Sequence, residues 1–418
     1  MKKFLALILA LVMALSLVAC GNDADDGAQE WPTPLPREAR DPIEKPALKI
    51  GLICVHDENS GYDAAHIDGM KGACEALGID AASQVVFKYN IPEDETCYDT
   101  AVDLAEQGCN LIISNSYGHQ SYVMQAASEY PEIIFVAATG DTAAYEPVVN
   151  VVNVFPYTFQ SRYVSGVVAG MKLKELMDAG TVTDPYVGYV GAFPYAEVVS
   201  GYTAFFLGIQ SIVPDAHMDV QYTNSWYDPV AEGEAANILM ARGCVIIGQH
   251  ADSTGAPSAV QAALEGGAVA YSVGYNIDML QVAPDAALTS AQNNWSAMYY
   301  PILERMVSGE VMYADFALGA ANDGVMISTL GPSCAEGTQE AVDAAWAAMK
   351  DGSLSVFDTA KFTVGGEKVT SFMALDMDGD FVGDIGEAIV DGIFEESVIR
   401  SAPYFSLRID GITELNNN

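Results

Sequence analysis

From Leu48 onward the chain alternates between short apolar runs and amphipathic stretches, and that alternation restricts the fold more than any other feature. Leu48–Val55 (LKIGLICV) reads as a buried strand. Tyr62–Leu77 follows, with Ile67, Met70, Cys74 and Leu77 at spacings of three and four and Gly78 as a stop, the pattern of an amphipathic helix. The alternation continues through strand Val85–Tyr89, helix Tyr98–Gln107, strand Asn110–Ser114, helix Ser121–Glu129 and strand Ile133–Ala138. A second series then begins. Helix Ser161–Met177 leads to strand Tyr186–Val190, helix Ala196–Ile212 to strand Met218–Tyr222, helix Val230–Arg242 to strand Cys244–Gly248, and helix Pro257–Leu264 to strand Ala268–Val273. After Pro284 come strand Ala287–Ser290, helix Asn294–Val307 and the strand-like runs Phe316–Ala320 and Val325–Leu330. Repeated strand–helix units build parallel sheets covered by helices on both faces. Two successive sets, spread over roughly 370 residues, predict an α/β chain with two doubly wound lobes.

The N-terminus carries Lys2 and Lys3, then an apolar run from Phe4 to Val18 that ends Leu17-Val18-Ala19-Cys20-Gly21. This is a signal peptide with a lipobox over residues 1–20, too short for a span of roughly 20 apolar residues. Cys20 is the expected lipidation site, so the mature chain is expected at the cell membrane, outside the cytoplasm and held by lipid. Residues 21–47 contain Pro32, Pro34, Pro36, Pro42 and Pro46 and little apolar periodicity, and read as a disordered tether. With Asp+Glu 56 against Lys+Arg 18 the net charge is −38. Nucleic acid is thereby excluded as a partner, because phosphates require basic patches. Six cysteines remain besides Cys20, without a C-x-x-C pair; Cys54 and Cys244 read as small buried hydrophobes, and no disulfide pairing is assigned among the rest.

Parallel sheets bind ligands beyond the C-terminal ends of their strands. There the loops are His56-Asp57-Glu58-Asn59-Ser60-Gly61-Tyr62, Asn115-Ser116-Tyr117-Gly118-His119, Gly191-Ala192-Phe193-Pro194-Tyr195, Thr223-Asn224-Ser225-Trp226-Tyr227-Asp228, Gln249-His250-Ala251-Asp252-Ser253 and Gly274-Tyr275-Asn276-Ile277-Asp278. Each pairs a ring with a polar side chain. Rings suit a flat ligand, at roughly 1–3 kcal/mol per stacked base. Carboxylates suit sugar hydroxyls, and the lack of an arginine in these loops disfavours an amino acid. The competing role for Asp57, Asp228 and Asp252 is capping of the next helix. His56, His119 and His250 could together ligate zinc, but neutral imidazoles bonded to ligand or loop are preferred. H-E-x-x-H, G-x-S-x-G and P-loop patterns are absent, so no catalysis is expected. The run Asp376-Met377-Asp378-Gly379-Asp380-Phe381 resembles a calcium loop, with acids at Asp376, Asp378 and Asp380. Phe381 stands where such a loop needs glycine, so a solvated acidic turn is preferred and no cofactor is expected.

The ordered segments GLICVHDENSGYDAAHIDG, CNLIISNSYG, YPEIIFVAATG, SRYVSGVVAGMK, VGYVGAFPYAEV, TNSWYDP, QHADSTG and LTSAQNNW resemble the basic membrane protein family, the PnrA-like nucleoside-binding lipoproteins of ABC importers. The resemblance implies a type I periplasmic-binding-protein clamshell, two lobes joined by a three-segment hinge, and no catalysis. It places residues 48–157 plus about 286–325 in lobe 1, and 158–285 plus about 326–418 in lobe 2. It implies a purine nucleoside or nucleobase as ligand and an ABC permease as partner. The implied ligand-binding set is Asp57, Asn59, Tyr62, Asn115, Ser116, Phe193 as the facing ring, Trp226, Asp252 on the ribose, Asn276 and Asp278, to which the loop reading adds His56, Tyr117 and His250. The chain departs from the family at its first loop, which lacks the usual Phe-Asn. It also departs after Thr289-Ser290, where a common lysine is missing, and in having His56 and His250. The alternatives left open are a ligand sensor that reports to a receptor, or a binder of another ring compound such as a sugar.

Overall fold

The computed structural model describes residues 39–143, 148–376 and 382–417. The signal peptide, Cys20 and the expected tether up to residue 38 lie outside the described residues, as do Asp378 and Asp380 of the acidic run. Residues 39–47, expected as disordered tether, instead lie on the first lobe: the Arg40 amide donates to the Gly309 carbonyl at 3.3 Å, the Ile43 amide to that of Met306 at 3.0 Å, and Ile43 packs on the core.

Two sheets organise the chain. The first has six parallel strands in the order Asp315–Phe316, Val151–Val154, Ile134–Ala138, Leu111–Ser114, Ile50–Ile53, Val85–Lys88. The second has seven in the order Val325–Ile327, Ala287–Asn293, Tyr271–Tyr275, Ile246–Gln249, Tyr186–Gly191, His217–Tyr222, Ile412–Glu414, of which Val325–Ile327 alone runs antiparallel to its neighbour. Strands Ile50–Ile53, Leu111–Ser114, Ile134–Ala138 and Ile246–Gln249 are buried along their whole length. That is why they read as unbroken apolar runs: helices cover both faces of a parallel sheet. Helix Gly61–Leu77 starts where the Ser60 hydroxyl accepts the Asp63 amide and stops at Gly78, which takes φ 69°.

The sheet order corrects one expected boundary. Strand Ala287–Asn293 pairs in parallel with Tyr271–Tyr275 and so belongs to the second lobe, where residues from about 286 were expected in the first. The return to the first lobe begins at Asn294, and helix Trp295–Ser308 packs on the first-lobe core beside Ile67 and Met70. A periodic pattern shows that a strand precedes a helix; it does not show that the chain changes lobes between them. Strand Val151–Val154 was not read from the sequence, because no helix separates it from the strand before and Asn153 interrupts its apolar run. Helix Thr338–Lys350 and strand Ile412–Glu414 were likewise unread.

The chain passes between the sheets three times, and the crossings are bonded together. The Tyr157 amide donates to the Leu318 carbonyl at 2.9 Å, and the Thr158 hydroxyl to Asn293 Oδ1 at 2.8 Å. The Ala320 amide donates to Gln160 Oε1 at 2.7 Å. All six described cysteines carry free thiols.

Helix Thr158–Asp178 runs from the first crossing into the second lobe and lies against helix Ala196–Gln210. Glycine permits the approach. A Cβ on Gly166 would stand 2.0 Å from the Phe205 carbonyl oxygen, and one on Gly208 would stand 2.1 Å from that of Tyr163. Backbone cannot yield as a side-chain tip can. Gly208→Val is therefore expected to lower stability by about 3 kcal/mol, at the upper end of overpacking costs, as read by urea denaturation.

Candidate functional site

A slit opens between the lobes, lined by Val55, Tyr62, Ser116, Tyr117 and Thr139 from the first and Glu197, Trp226, His250, Asp252 and Tyr275 from the second. It holds about 370 Å³ of empty space and is partly open to solvent. The space is narrow, and four of its lining residues, Tyr62, Tyr117, Trp226 and Tyr275, carry aromatic rings. The lobes also touch directly around it. The Gly61 amide donates to the Asp252 carbonyl at 3.1 Å, and the rings of His56 and Tyr227 lie 5.5 Å apart.

The first-lobe wall rests on one buried carboxylate. Asp63 accepts from the His56 amide at 3.2 Å and from Asn115 Nδ2 at 2.7 Å. Burial pushes its acidity down, but hydrogen bonds from His56, Asn115 and Ser60 outweigh that and hold the group below the usual carboxylate range. Asn115 Oδ1 accepts the Val55 amide at 3.0 Å, and the Asn115 carbonyl accepts the Tyr62 hydroxyl. Tyr62 is thereby fixed, with its ring edge-on to His66 at 4.5 Å. His66 stacks on Trp295 at 3.7 Å, and burial drives its pKa down to about 3. Ser116 donates to Glu93 at 2.5 Å, and Tyr117 to Asp141 at 3.0 Å. Thr139 holds φ 67°, and its buried hydroxyl has no hydrogen-bond partner. A β-branched residue in this region is strained, which accords with a position fixed for a ligand.

The second-lobe wall is more acidic. His250 Nε2 lies 3.1 Å from Glu197 Oε1. Burial and then the charge of Arg162 lower the His250 pKa to about 4, so the ring is neutral near pH 7 and Nε2 carries the proton given to Glu197. Arg162, fully buried, lies over the Tyr275 ring at 3.6 Å and donates to the Gln249 carbonyl at 2.6 Å. This cation–π contact fixes the ring from behind. Asp252 Oδ1 accepts Asn276 Nδ2 at 2.8 Å. Burial, followed by the charges of Glu232, Asp63 and Glu197, holds the Asp252 carboxyl well above its ordinary range. Trp226 meets Phe193 edge-on at 5.0 Å.

Of the thirteen residues expected at the site, Tyr62, Ser116, Tyr117, Trp226, His250 and Asp252 line the slit. His56, Asn115 and Asn276 stand one layer back, orienting Asp63, Tyr62 and Asp252. The other four lie elsewhere. Asp57 Oδ1 accepts the Asn59 amide and Asn59 Nδ2, so these two residues close a turn of their own. Asp278 caps a short helical turn through the Leu280 amide at 3.0 Å. Phe193 stacks on Tyr195 at 5.1 Å and backs Trp226 instead of facing the slit. Asp228 caps helix Pro229–Ala241, the competing role considered for it. His119 turns away to the Ile91 carbonyl at 2.9 Å and does not meet His56 and His250. Val55, Thr139, Glu197 and Tyr275 were missed. Tyr275 ends its strand beside Asn276, which was singled out, and side-chain alternation there decides which of the two faces the gap. Glu197 stands in the first turn of helix Ala196–Gln210, beyond the loop that was read.

Beneath the Asp252 loop, Glu232 accepts the Ser253 amide at 3.2 Å and the Asp228 amide at 3.2 Å. Burial outweighs these bonds and raises its pKa to about 7. A carboxyl raised on folding contributes stability that is complete below its unfolded pKa and is lost as pH rises through the folded value. Between about pH 4.5 and 7, wild-type stability should therefore fall relative to Glu232→Gln, a trend readable from melting temperatures of both proteins across that range.

Residues 53–352 match the family described as ABC transporter substrate-binding protein, PnrA-like. The chain is 32% identical over 263 residues, 63% of its length and 69% of the relative's, to the Purine-binding protein BAB2_0673 of Brucella abortus (strain 2308). It is 31% identical over 259 residues, 62% of this chain and 61% of the relative, to a Haloferax volcanii protein provisionally named ABC transporter glucose-binding protein TsgA13. Among solved structures, a solute-binding protein of an ABC transporter system from Aeropyrum pernix K1 superposes with TM-score 0.62 at 17% identity, covering 73% of this chain and 92% of that one. One from Conexibacter woesei superposes with TM-score 0.58 at 22% identity, covering 73% and 97%. These likenesses concern the fold, which is that of the periplasmic binding proteins. Among the described residues no helix is long and apolar enough to cross a membrane. With a two-lobed parallel α/β fold, a slit at the strand ends and a match over residues 53–352, the chain belongs to the PnrA-like family of extracytoplasmic ABC transporter substrate-binding proteins.

Proposed function

We propose that this protein captures a purine nucleoside or nucleobase in the slit and presents it, with the lobes closed, to an ABC permease, while a lipid on Cys20 holds it at the outer face of the cell membrane. One observation carries the ligand assignment: a narrow gap with Tyr62 on one lobe and Trp226 and Tyr275 on the other, and with Asp252 and Glu197 at its polar edge. Aromatic walls favour a planar heterocycle, and carboxylates favour a ligand that brings N–H or O–H donors. The lining contains neither lysine nor arginine, which disfavours a phosphorylated ligand. The purine-binding name of the Brucella relative, at 32% identity, supports the same reading. A sugar is the second reading, supported by the glucose-binding name of the Haloferax relative and by the paired carboxylates. Thermal-shift screening of the full chain against adenosine, guanosine, adenine, guanine, glucose and ribose separates the two. Stabilisation by a nucleoside or base, confirmed by calorimetry, is the expected result; stabilisation by glucose alone would replace the purine with a sugar.

A further inference from the structure

The family match ends at residue 352, but the chain continues. Its C-terminal part belongs to the second lobe: Phe357, Phe394, Tyr404 and Phe405 are buried in that lobe's core, and Ile412–Glu414 forms an edge strand of its sheet. At one point this segment reaches the first lobe. The Ser401 amide donates to Asp315 Oδ2 at 2.7 Å, and its hydroxyl donates to Oδ1. Asp315 lies on the edge strand of the first sheet. Next to it, Arg400 Nη1 lies 3.3 Å from Asp141 Oδ2, with both side chains only 14% exposed. Asp141 follows the strand that ends at Ala138, and its carboxylate also accepts Gln120 Nε2 at 2.9 Å and the Tyr117 hydroxyl at 3.0 Å. Tyr117 is a wall of the slit.

An unbroken run of polar contacts therefore leads from a second-lobe arginine, through a first-lobe carboxylate, to a ring facing the ligand space. We infer that Arg400 is a positioning residue for ligand capture: an interlobe latch that holds the lobes together and steadies Tyr117 through Asp141. It acts through other residues and does not touch the ligand. The inference rests on the slit being the ligand site, and goes beyond that reading by assigning a role to the chain past the family match. A contact between the lobes that breaks on opening biases the equilibrium between them by its own free energy. Because both partners are shielded, removing one leaves the other as an unpaired, poorly solvated charge, which costs more than breaking an exposed pair.

The test uses the full chain and adenosine as probe. Arg400→Ala should raise the adenosine release rate, read by stopped-flow tryptophan fluorescence, at least fivefold, and Arg400→Lys should recover part of the loss. Asp141→Asn should have a similar effect, and the double variant should be little worse than either single one, because both remove the same contact. A structural staple alone would lower the melting temperature and leave release unchanged; release within twofold of wild type for Arg400→Ala overturns the latch. If adenosine does not bind the wild type, the ligand reading fails separately, and the latch is judged on the ligand-free proteins by small-angle scattering. A larger radius of gyration for Arg400→Ala than for wild type supports it, and identical curves overturn it.

Discussion

Replacing Trp226 by alanine is expected to weaken ligand binding at least tenfold, as measured by calorimetry with the tightest ligand from the screen. The indole is a second-lobe wall of the slit, held edge-on by Phe193 at 5.0 Å, and the Trp226 backbone carbonyl, which the substitution keeps, accepts the Asp252 amide at 2.8 Å. A base stacked on an aromatic ring gains about 1–3 kcal/mol, and about 1.4 kcal/mol is a factor of ten in Kd. The slit is narrow, so removing one face leaves the ligand without contact on that side and lets water in. Trp226→Phe keeps a flat face and should recover most of the affinity. An alanine variant that binds like wild type would place the ligand away from this wall.

Asp252→Ala should cost nucleosides at least tenfold, and free bases much less. The carboxyl is buried among Glu232, Asp63 and Glu197, which hold it protonated above the usual carboxylate range when no ligand neutralises the site. Two sugar hydroxyls donating to it favour the ionised form, so nucleoside binding should release a proton. Affinity for a nucleoside should then rise with pH up to the raised carboxyl pKa of the ligand-free protein, whereas Asp252→Asn should show a flatter profile. Calorimetry in buffers of different ionisation enthalpy reads the proton directly. Equal losses for nucleoside and base would move the sugar away from Asp252.

The loops at the strand ends were legible from the chain, and so were most of the rings they carry. What could not be read was which member of each loop faces inward. Asp57, Asn59 and Asp278 have the chemistry of ligand contacts, but Asp57 and Asp278 each accept a backbone amide of their own turn and the Asn59 side chain donates to Asp57, local bonds that need no ligand. Thr139, Glu197 and Tyr275 line the slit, and nothing in their neighbours' composition sets them apart. Arg162 could not be placed at all: a cation inside a mostly apolar helix is recognisable as purposeful only when Tyr275, from a strand more than a hundred residues later, lies beneath it at 3.6 Å.

Local interactions repeat at fixed periods, so the linear chain alone determined the alternation of strands and helices, the two-lobed α/β class and the end of the sheets at which the slit opens. Lobe membership, such as that of Ala287–Asn293, depends on which strand supplies the next row of hydrogen bonds, and only the assembled sheet decides that. The slit likewise exists only after folding. Its walls come from residues between Val55 and Tyr275 brought within a few ångströms, and the burial that shifts Asp252 and His250 in opposite directions is a property of that enclosure, which a sequence of residues does not contain.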